Sequence, residues 1–177
     1  MRRLGVVLAV LLAVGLVMAQ GPAKAPKPGP DHKRMGYFVG TWTGEAESKA
    51  SPFGPAGKSS STQTCEWYNG GFALVCNDTG SAGPVQWKGT SLMAYDPETK
   101  MYRYSSVNNM GESDQATGTV KGKVWTWTSE GKKGGKPFKG VFTITEVSPT
   151  SYTYKWDASF GGGPVETLMS GKNTKSK

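Results

Sequence analysis

The sequence predicts an all-β protein, an antiparallel up-and-down barrel of about ten strands. The first observation is composition: the chain has 25 glycines among its 177 residues, and Thr, Val, Tyr, Trp and Phe dominate the segments between them. Those residue types favour strands, whereas no segment from Gly40 onward has the spacing of an amphipathic helix. Turn sequences recur at short, regular intervals, and hairpins in simple succession favour a barrel over a sandwich.

The first strand is expected to start at Gly40-Thr41-Trp42, where the bulky indole of Trp42 would close one end of the barrel. The hairpins that follow are indicated by turns rich in Gly, Pro, Asn or Asp, such as Asn69-Gly70-Gly71. The predicted strands cover residues 43–49, 62–68, 72–77, 86–95, 100–107, 115–120, 124–129, 138–147, 152–160 and 165–170.

Residues 1–19 have the three parts of a secretory signal peptide: a basic start, an almost unbroken apolar run over residues 4–17, and small residues before cleavage after Ala19. The run is shorter than the about 20 apolar residues that a membrane span needs. Residues 20–33 are rich in Pro, Gly and Lys and are expected to form an extended linker. No cysteine lies near the cleavage position to carry a lipid, so we expect a periplasmic or secreted protein without a membrane anchor.

Removal of the first 19 of the 177 residues would leave 158, with 19 Lys and Arg against 13 Asp and Glu, enough chain for one domain. We place the barrel domain at residues 34–171 and a flexible tail at residues 172–177. The positive charges are scattered, and their one small cluster, over residues 132–136, lies among the glycines of a turn. Because nucleic-acid binding requires positive charge concentrated on one surface, no nucleic-acid partner is expected.

The two cysteines, Cys65 and Cys76, lie on the two arms of one predicted hairpin. They are directly opposite each other if Gly70-Gly71 forms the turn, and diagonal neighbours if Asn69-Gly70 does. An even number of cysteines in an exported chain favours a disulfide, and a directly opposite pair is within bonding reach. The alternative, a redox-active or metal-binding pair, lacks the close CxxC spacing and a partner histidine.

Alternation along the strands places many aromatic side chains on the inner face of the predicted barrel. Tyr152, Tyr154 and Trp156 share one face of their strand. Their polar N–H and O–H groups need partners when buried, and a pocket that holds water or a ligand would supply them. The candidate ligand-binding residues are Trp42, Trp67, Tyr104, Trp125, Trp127, Tyr154 and Trp156. The alternative is that these rings simply fill the core, since strands are rich in aromatic residues anyway.

No catalytic or metal-binding constellation is recognisable in the sequence. The single histidine, His32, stands at the border of the linker, so no His-based triad or metal cluster can be assembled in the barrel. The candidate carboxylates show no recognisable pairing and are expected to be solvated strand residues: Glu45, Glu66, Asp114, Glu146, Asp157 and Glu166. Catalysis is therefore not expected; an interior pair of carboxylates within reach of each other would reverse that expectation.

Gly40-Thr41-Trp42, the Asn69-Gly70-Gly71-Phe72 hairpin and the Tyr95-Asp96-Pro97 turn, in this order, resemble an uncharacterised bacterial secreted family with calycin-type, lipocalin-like barrels. The resemblance covers about residues 33–170. It implies a ten-stranded antiparallel barrel closed at one end by Trp42, in a family whose function is unknown.

The start of the first strand, residues 40–44, is also similar to that of nitrobindin-like haem barrels, which share a Gly-x-Trp-x-Gly sequence. That family holds the haem iron through a histidine late in the chain, and residues 152–177 contain none here. Ligation by Tyr152 or Tyr154 is chemically feasible, but nothing in the sequence selects it. No haem or other cofactor is therefore expected.

The function that these observations favour is binding: an exported, non-catalytic barrel that holds a small apolar or aromatic molecule in its interior. The alternative is a filled barrel that serves as a structural or protein-binding envelope module. A packed interior and an exposed apolar patch on the outside would identify that second class.

Overall fold

The computed structural model describes residues 25–176, so the predicted signal peptide and the start of the predicted linker lie outside the described residues. A short helix, α1 (Pro30–Arg34), leads directly into a 3₁₀ turn, Met35–Phe38. Ten strands follow and close into one barrel in which consecutive strands pair and the last strand pairs with the first. The prediction of an all-β, antiparallel up-and-down barrel is confirmed.

The strands are β1 (Gly40–Ser48), β2 (Gly57–Tyr68), β3 (Ala73–Ala82), β4 (Val85–Asp96), β5 (Met101–Asn108), β6 (Ser113–Lys121), β7 (Val124–Lys133), β8 (Lys136–Ser148), β9 (Ser151–Phe160) and β10 (Glu166–Lys175). β10 continues four residues beyond the predicted end of the barrel, and Lys175 pairs with Trp42 of β1. Residues 172–175 carry no apolar side chain to signal a strand. They extend one because β1 offers hydrogen-bond partners along its whole length.

One end of the barrel, here called the closed end, is covered by α1 and the 3₁₀ turn. Met35 and Phe38 of the turn are buried, and the fully buried Trp42 donates its indole N–H to the carbonyl oxygen of Phe38 at 2.8 Å. The side chains around them form the hydrophobic core: Met35, Phe38, Trp42, Cys65, Leu74, Cys76, Met93, Tyr102, Trp125, Trp127, Ile144 and Tyr152. The opposite end, here called the open end, carries the β1–β2, β3–β4, β5–β6, β7–β8 and β9–β10 connections.

Cys65 and Cys76 form a disulfide between directly opposite positions of β2 and β3. The hairpin does not use a two-residue turn. Its last pair is Tyr68 with Ala73, so four residues connect the strands, and three of them form a 3₁₀ turn, Asn69–Gly71. This loop gives the same register as the Gly70-Gly71 alternative, and therefore the directly opposite cysteine pair.

Candidate functional site

The interior of the barrel has a filled half and an accessible half. Towards the closed end, Trp42, Tyr102 and Trp125 are almost completely buried. Towards the open end, inward-facing side chains remain partly exposed although the sheet surrounds them: Ser59, Ser61, Gln63, Asp78, Trp87, Tyr104, Ser106, Phe142, Tyr154 and Trp156. Because the closed end is covered, solvent reaches these side chains through the open end. We call this accessible space the cup.

The cup has a polar wall and an aromatic wall. Strands β2 to β6 contribute the polar wall, with Gln63, Asp78, Ser91, Ser106 and Asp114 at inward positions of their paired strands. Two aromatic residues, Trp87 of β4 and Tyr104 of β5, also face inward on this side. Strands β8 and β9 contribute the aromatic wall: Phe142, Tyr154 and Trp156. Phe142 and Tyr154 stack with their ring centroids 5.3 Å apart.

Glycines on neighbouring strands allow the aromatic side chains to lie against the barrel wall. A Cβ atom at Gly140 would be 2.7 Å from the indole nitrogen of Trp156, and one at Gly171 would be 2.5 Å from the ring of Tyr154. Each ring occupies the space above an inward-facing glycine of the next strand, which a side chain at the glycine position would otherwise fill. The rings therefore lie along the wall of the barrel, and Tyr154 and Trp156 remain partly exposed there.

A phenylalanine from the β1–β2 connection covers part of the open end. The Phe53 ring packs against Trp156, Phe160 and Phe138, with centroid distances of 4.9, 5.2 and 5.5 Å. The Lys133 ammonium lies 5.0 Å from the centre of the same ring. Phe53 is 38% exposed, so it is a partial cover on the aromatic side of the cup and not a seal.

The polar wall carries two carboxylates in surroundings that disfavour their charge. Burial raises the pKa of Asp78, an effect that a hydrogen bond with Gln63 partly offsets. Burial also raises the pKa of Asp114, against a backbone hydrogen bond from Gln115. Burial raises the pKa of Tyr104 as well, and the nearby charges of Asp78 and Asp114 raise it further. Hydrogen bonds with Ser106 and Ser91 act against this rise in the pKa of Tyr104, and they place its hydroxyl on the same wall as the two carboxylates.

Three of the seven side chains that the sequence nominated for ligand binding surround the cup and are partly exposed: Tyr104, Tyr154 and Trp156. Trp42, Trp125 and Trp127 also face inward, but they belong to the buried core. Trp67 lies at the closed end beside Gly36 and is 41% exposed. Residue alternation alone does not tell which end of a strand is covered.

Sequence reasoning missed Phe53, Phe142, Gln63 and Asp78. Asp114 is exposed, as expected of a solvated strand residue, although it lies at an inward position. The same expectation is wrong for Glu146, whose side chain is only 10% exposed because it pairs with Arg34. A signal for Asp78 was present, because Leu74, Cys76 and Asp78 alternate along β3 and therefore share its inner face. No such signal exists for Phe53, which lies in a connection between strands.

Two shallow depressions lie elsewhere on the described surface. One is lined by the open-end residues of β1 and β10 and the start of β2. The other lies over the hydroxyl-rich outer face of β10, β1, β2 and β3, around Thr43, Thr62 and Thr79. Both are open to solvent on most sides, and neither combines aromatic rings with inward carboxylates, so the cup is the stronger candidate.

Among residues 25–176, no three His, Cys, Asp or Glu side chains come together in a way that could hold a metal ion. None of the helices in this part of the chain is long and apolar enough to cross a membrane.

Comparison with known proteins supports the fold. The barrel is similar to the crystal structure of Rv2717c from M. tuberculosis, with a TM-score of 0.60 and 12% identity, covering 84% of this chain and 99% of that one. It is also similar to the S-type phycobiliprotein lyase CPES from Guillardia theta, with a TM-score of 0.59 and 9% identity, covering 83% and 93%. At these identities the likeness shows the calycin-like fold alone, and no curated protein sequence matches the chain. The family model described as "Protein of unknown function (DUF1579)" matches residues 27–175, and the chain belongs to that family.

Proposed function

We propose that this protein is an exported, non-catalytic barrel that binds a small, largely apolar or aromatic molecule in the cup. The observation that carries the proposal is the placement of the aromatic rings. Trp156 and Tyr154 lie beside glycines of the neighbouring strands, where they line the cup and stay partly exposed. A concave, mostly apolar space with a few convergent polar groups is the usual form of a small-molecule site.

The aromatic wall supplies a sufficient driving force for such a ligand. Covering about 200 Å² of apolar surface is worth about 5 kcal/mol before the costs of association are subtracted. Phe142, Tyr154 and Trp156 are partly exposed in the free protein, so their surface is available for this contact.

The alternative of a filled structural module has less support. Its interior would be packed along the whole length of the barrel, whereas partly exposed side chains line the half towards the open end. Its outer surface would carry a contiguous apolar patch. Some exposed apolar side chains are neighbours, such as Trp67 and Tyr68, but the set is spread over both ends and several strands of the barrel and does not form one surface. Its members are Phe53, Trp67, Tyr68, Val85, Leu92, Val107, Met110, Val124, Val147 and Val165.

Catalysis also has less support, although Asp78 and Asp114 both face the cup. An acid–base pair needs surroundings that push the two pKa values apart. Burial raises the pKa of both carboxyls in the same direction, which gives neither a distinct role.

The disulfide and the sequence of residues 1–19 support the export part of the proposal. Disulfides persist mainly in oxidising compartments, and the Cys65–Cys76 bond closes a hairpin in the core. A periplasmic or secreted location agrees with both observations.

The test is titration of the mature chain with Nile red, a neutral apolar dye whose fluorescence rises in apolar surroundings. We expect saturable binding of one dye per protein. The Gly140→Ala variant should bind the dye about fivefold more weakly, about 1 kcal/mol, because its methyl group would push the Trp156 indole into the cup.

Gly57→Ala is the matched control, since a Cβ atom there meets nothing within 4 Å. Circular dichroism and thermal melting of both variants would show that the barrel is retained. Absence of saturable binding, or equal affinity of the two variants, would overturn the proposal.

A further inference from the structure

We propose that the cup selects a ligand with a positively charged organic group, an amine or quaternary ammonium attached to an apolar or aromatic body, through Asp78 and Asp114. This inference rests on the proposed function and specifies the class of ligand. It follows from the charges that face the cup, from the surface opposite them and from an unpaired acceptor on β10.

The two carboxylates lie on one continuous wall. Asp78 of β3 pairs with Gln63 and Gly89, and Asp114 of β6 pairs with Ser106. On the two intervening strands, the inward positions of this wall include Gly89, Ser91 and Ser106. These three residues are small. The Tyr104 side chain of β5 also lies on this wall, beside Ser91 and Ser106 and close to both carboxylates.

Neither carboxylate forms an ion pair with any described residue; the six ion pairs of residues 25–176 involve other acids. The nearest inward-facing cations lie at the two ends of the barrel. At the open end, the Lys133 ammonium is 3.1 Å from Glu112, and Lys136 is exposed. At the closed end, the Lys175 ammonium lies 5.5 Å from the centre of the Trp42 ring. The middle of the cup therefore has two acids and no base.

Asp78 is partly buried, whereas Asp114 is exposed to the solvent of the cup. Uncompensated charge in partly buried surroundings is unfavourable, so a cation that enters the cup would relieve the charge of Asp78, and Asp114 would add a second attraction. The same carboxylates would disfavour an anionic ligand and would gain nothing from a neutral one. The two carboxylates therefore select ligands by attracting cations and repelling anions.

The opposite wall also favours a cation. The faces of Trp and Tyr rings attract ammonium groups, most strongly where water is excluded. Trp156, Tyr154 and Phe142 face the polar wall across the cup, and Tyr104 lies close to both carboxylates. An inorganic cation would make no use of this aromatic surface, which is why we specify an organic one.

Asn173 of β10 adds an independent observation. It faces inward between Gly44 and Tyr152 and is 5% exposed, and its side-chain oxygen has no hydrogen-bond partner among the described residues. Buried acceptors are normally paired. This oxygen lies over Gly44 with almost no surface open to solvent, so a donor group in the cup would reach it after a rotation of the Asn173 amide. A protonated amine, or a water that accompanies the ligand, supplies such a donor.

The test uses two probes of equal shape, naphthylethyl-trimethylammonium and its neutral isostere in which a tert-butyl group replaces the trimethylammonium. Affinities would be measured by quenching of tryptophan fluorescence at pH 7.5 and low salt. We expect the cation to bind about tenfold more tightly than the neutral probe. In an Asp78→Asn, Asp114→Asn double variant this preference should disappear, while the affinity for the neutral probe stays the same.

A Glu45→Gln, Glu66→Gln double variant is the matched control, since it removes two exposed carboxylates from the outer face of β1 and β2. It should keep the preference for the cation. Equal affinity for the two probes in the wild-type protein, or a preference that survives in the Asp double variant, would overturn the inference and leave the proposed function intact. Failure of both probes and of Nile red to bind would instead overturn the proposed function.

Discussion

The Trp125 indole N–H donates a hydrogen bond of 2.6 Å to Oε1 of Glu146. The same oxygen accepts from the Arg34 guanidinium, also at 2.6 Å, and Arg34 lies over the Trp125 ring. Arg34 belongs to α1, a helix of five residues with none buried. This shared carboxylate oxygen explains how so short a helix is held at the closed end: a charged contact joins it to β7 and β8.

Replacing Glu146 by Gln should therefore destabilise the barrel. The change leaves the Arg34 charge without its partner, and Glu146 is only 10% exposed in its side chain. We expect the free energy of unfolding to fall by about 1–2 kcal/mol, measured by urea denaturation. The matched control is Glu47→Gln, whose ion pair with Lys58 is exposed and should be worth less than about 0.5 kcal/mol. Equal losses in the two variants would contradict this account of the closed end.

The disulfide should contribute measurably to stability. Cys65 and Cys76 are separated by 11 positions, and removing the cross-link from a loop of that size typically lowers the free energy of unfolding by about 2–3 kcal/mol. A Cys65→Ala, Cys76→Ala variant should melt at a lower temperature than the oxidised protein. Dithiothreitol should lower the melting temperature of the wild-type protein but not that of the variant. A similar shift in the variant would mean that the reductant does not act through this disulfide.

Turn chemistry and side-chain alternation were sufficient to predict the ten strands, because both are local signals. β2 begins earlier than predicted, and β3 and β10 end later. The Ser, Thr, Gly and Lys residues of these additional segments carry no burial pattern in the sequence. These residues become strand because the closed barrel supplies a hydrogen-bonding neighbour on each side.

The candidate site was less predictable than the fold. Trp67 and Trp127 follow the same alternating pattern, yet Trp67 is 41% exposed at the closed end and Trp127 is 5% exposed in the core. Their difference depends on how α1 and the 3₁₀ turn cover one end of the barrel, which is a contact between distant parts of the chain. The position of Phe53 over the open end is non-local in the same way.

Phe53 should control how fast a ligand leaves the cup. Its ring covers the aromatic side of the open end, so Phe53→Ala should raise the dissociation rate of Nile red several-fold in stopped-flow fluorescence. Stability should change by less than about 1 kcal/mol, since the ring is 38% exposed and lies in a connection. Val165→Ala is the control, because Val165 is 69% exposed in another connection at the same end. Unchanged release kinetics in the Phe53 variant would show that the ring does not restrict the opening.

Asp78 should make the free protein less stable at neutral pH than it is in acid. Because burial raises the pKa of Asp78, the folded protein keeps this proton at pH values where the unfolded chain has lost it. Its contribution to stability is fully present below the unfolded pKa and is lost as the pH rises through the folded pKa.

An Asp78→Asn variant has no charge to desolvate, so it should unfold at a higher urea concentration than the wild-type protein at pH 7. The advantage should shrink as the pH falls through the range in which carboxyl groups titrate. Urea denaturation from about pH 3 to about pH 8 covers the range in which carboxyl groups titrate and the range above it. It therefore measures both the advantage of the variant at pH 7 and its decrease in acid. The control is Glu45→Gln, at an exposed outward position on β1, which should show no such pH-dependent gain in stability. If the Asp78 variant were destabilised equally at every pH, the carboxylate would be a structural hydrogen-bond acceptor, and its charge would be satisfied without a ligand.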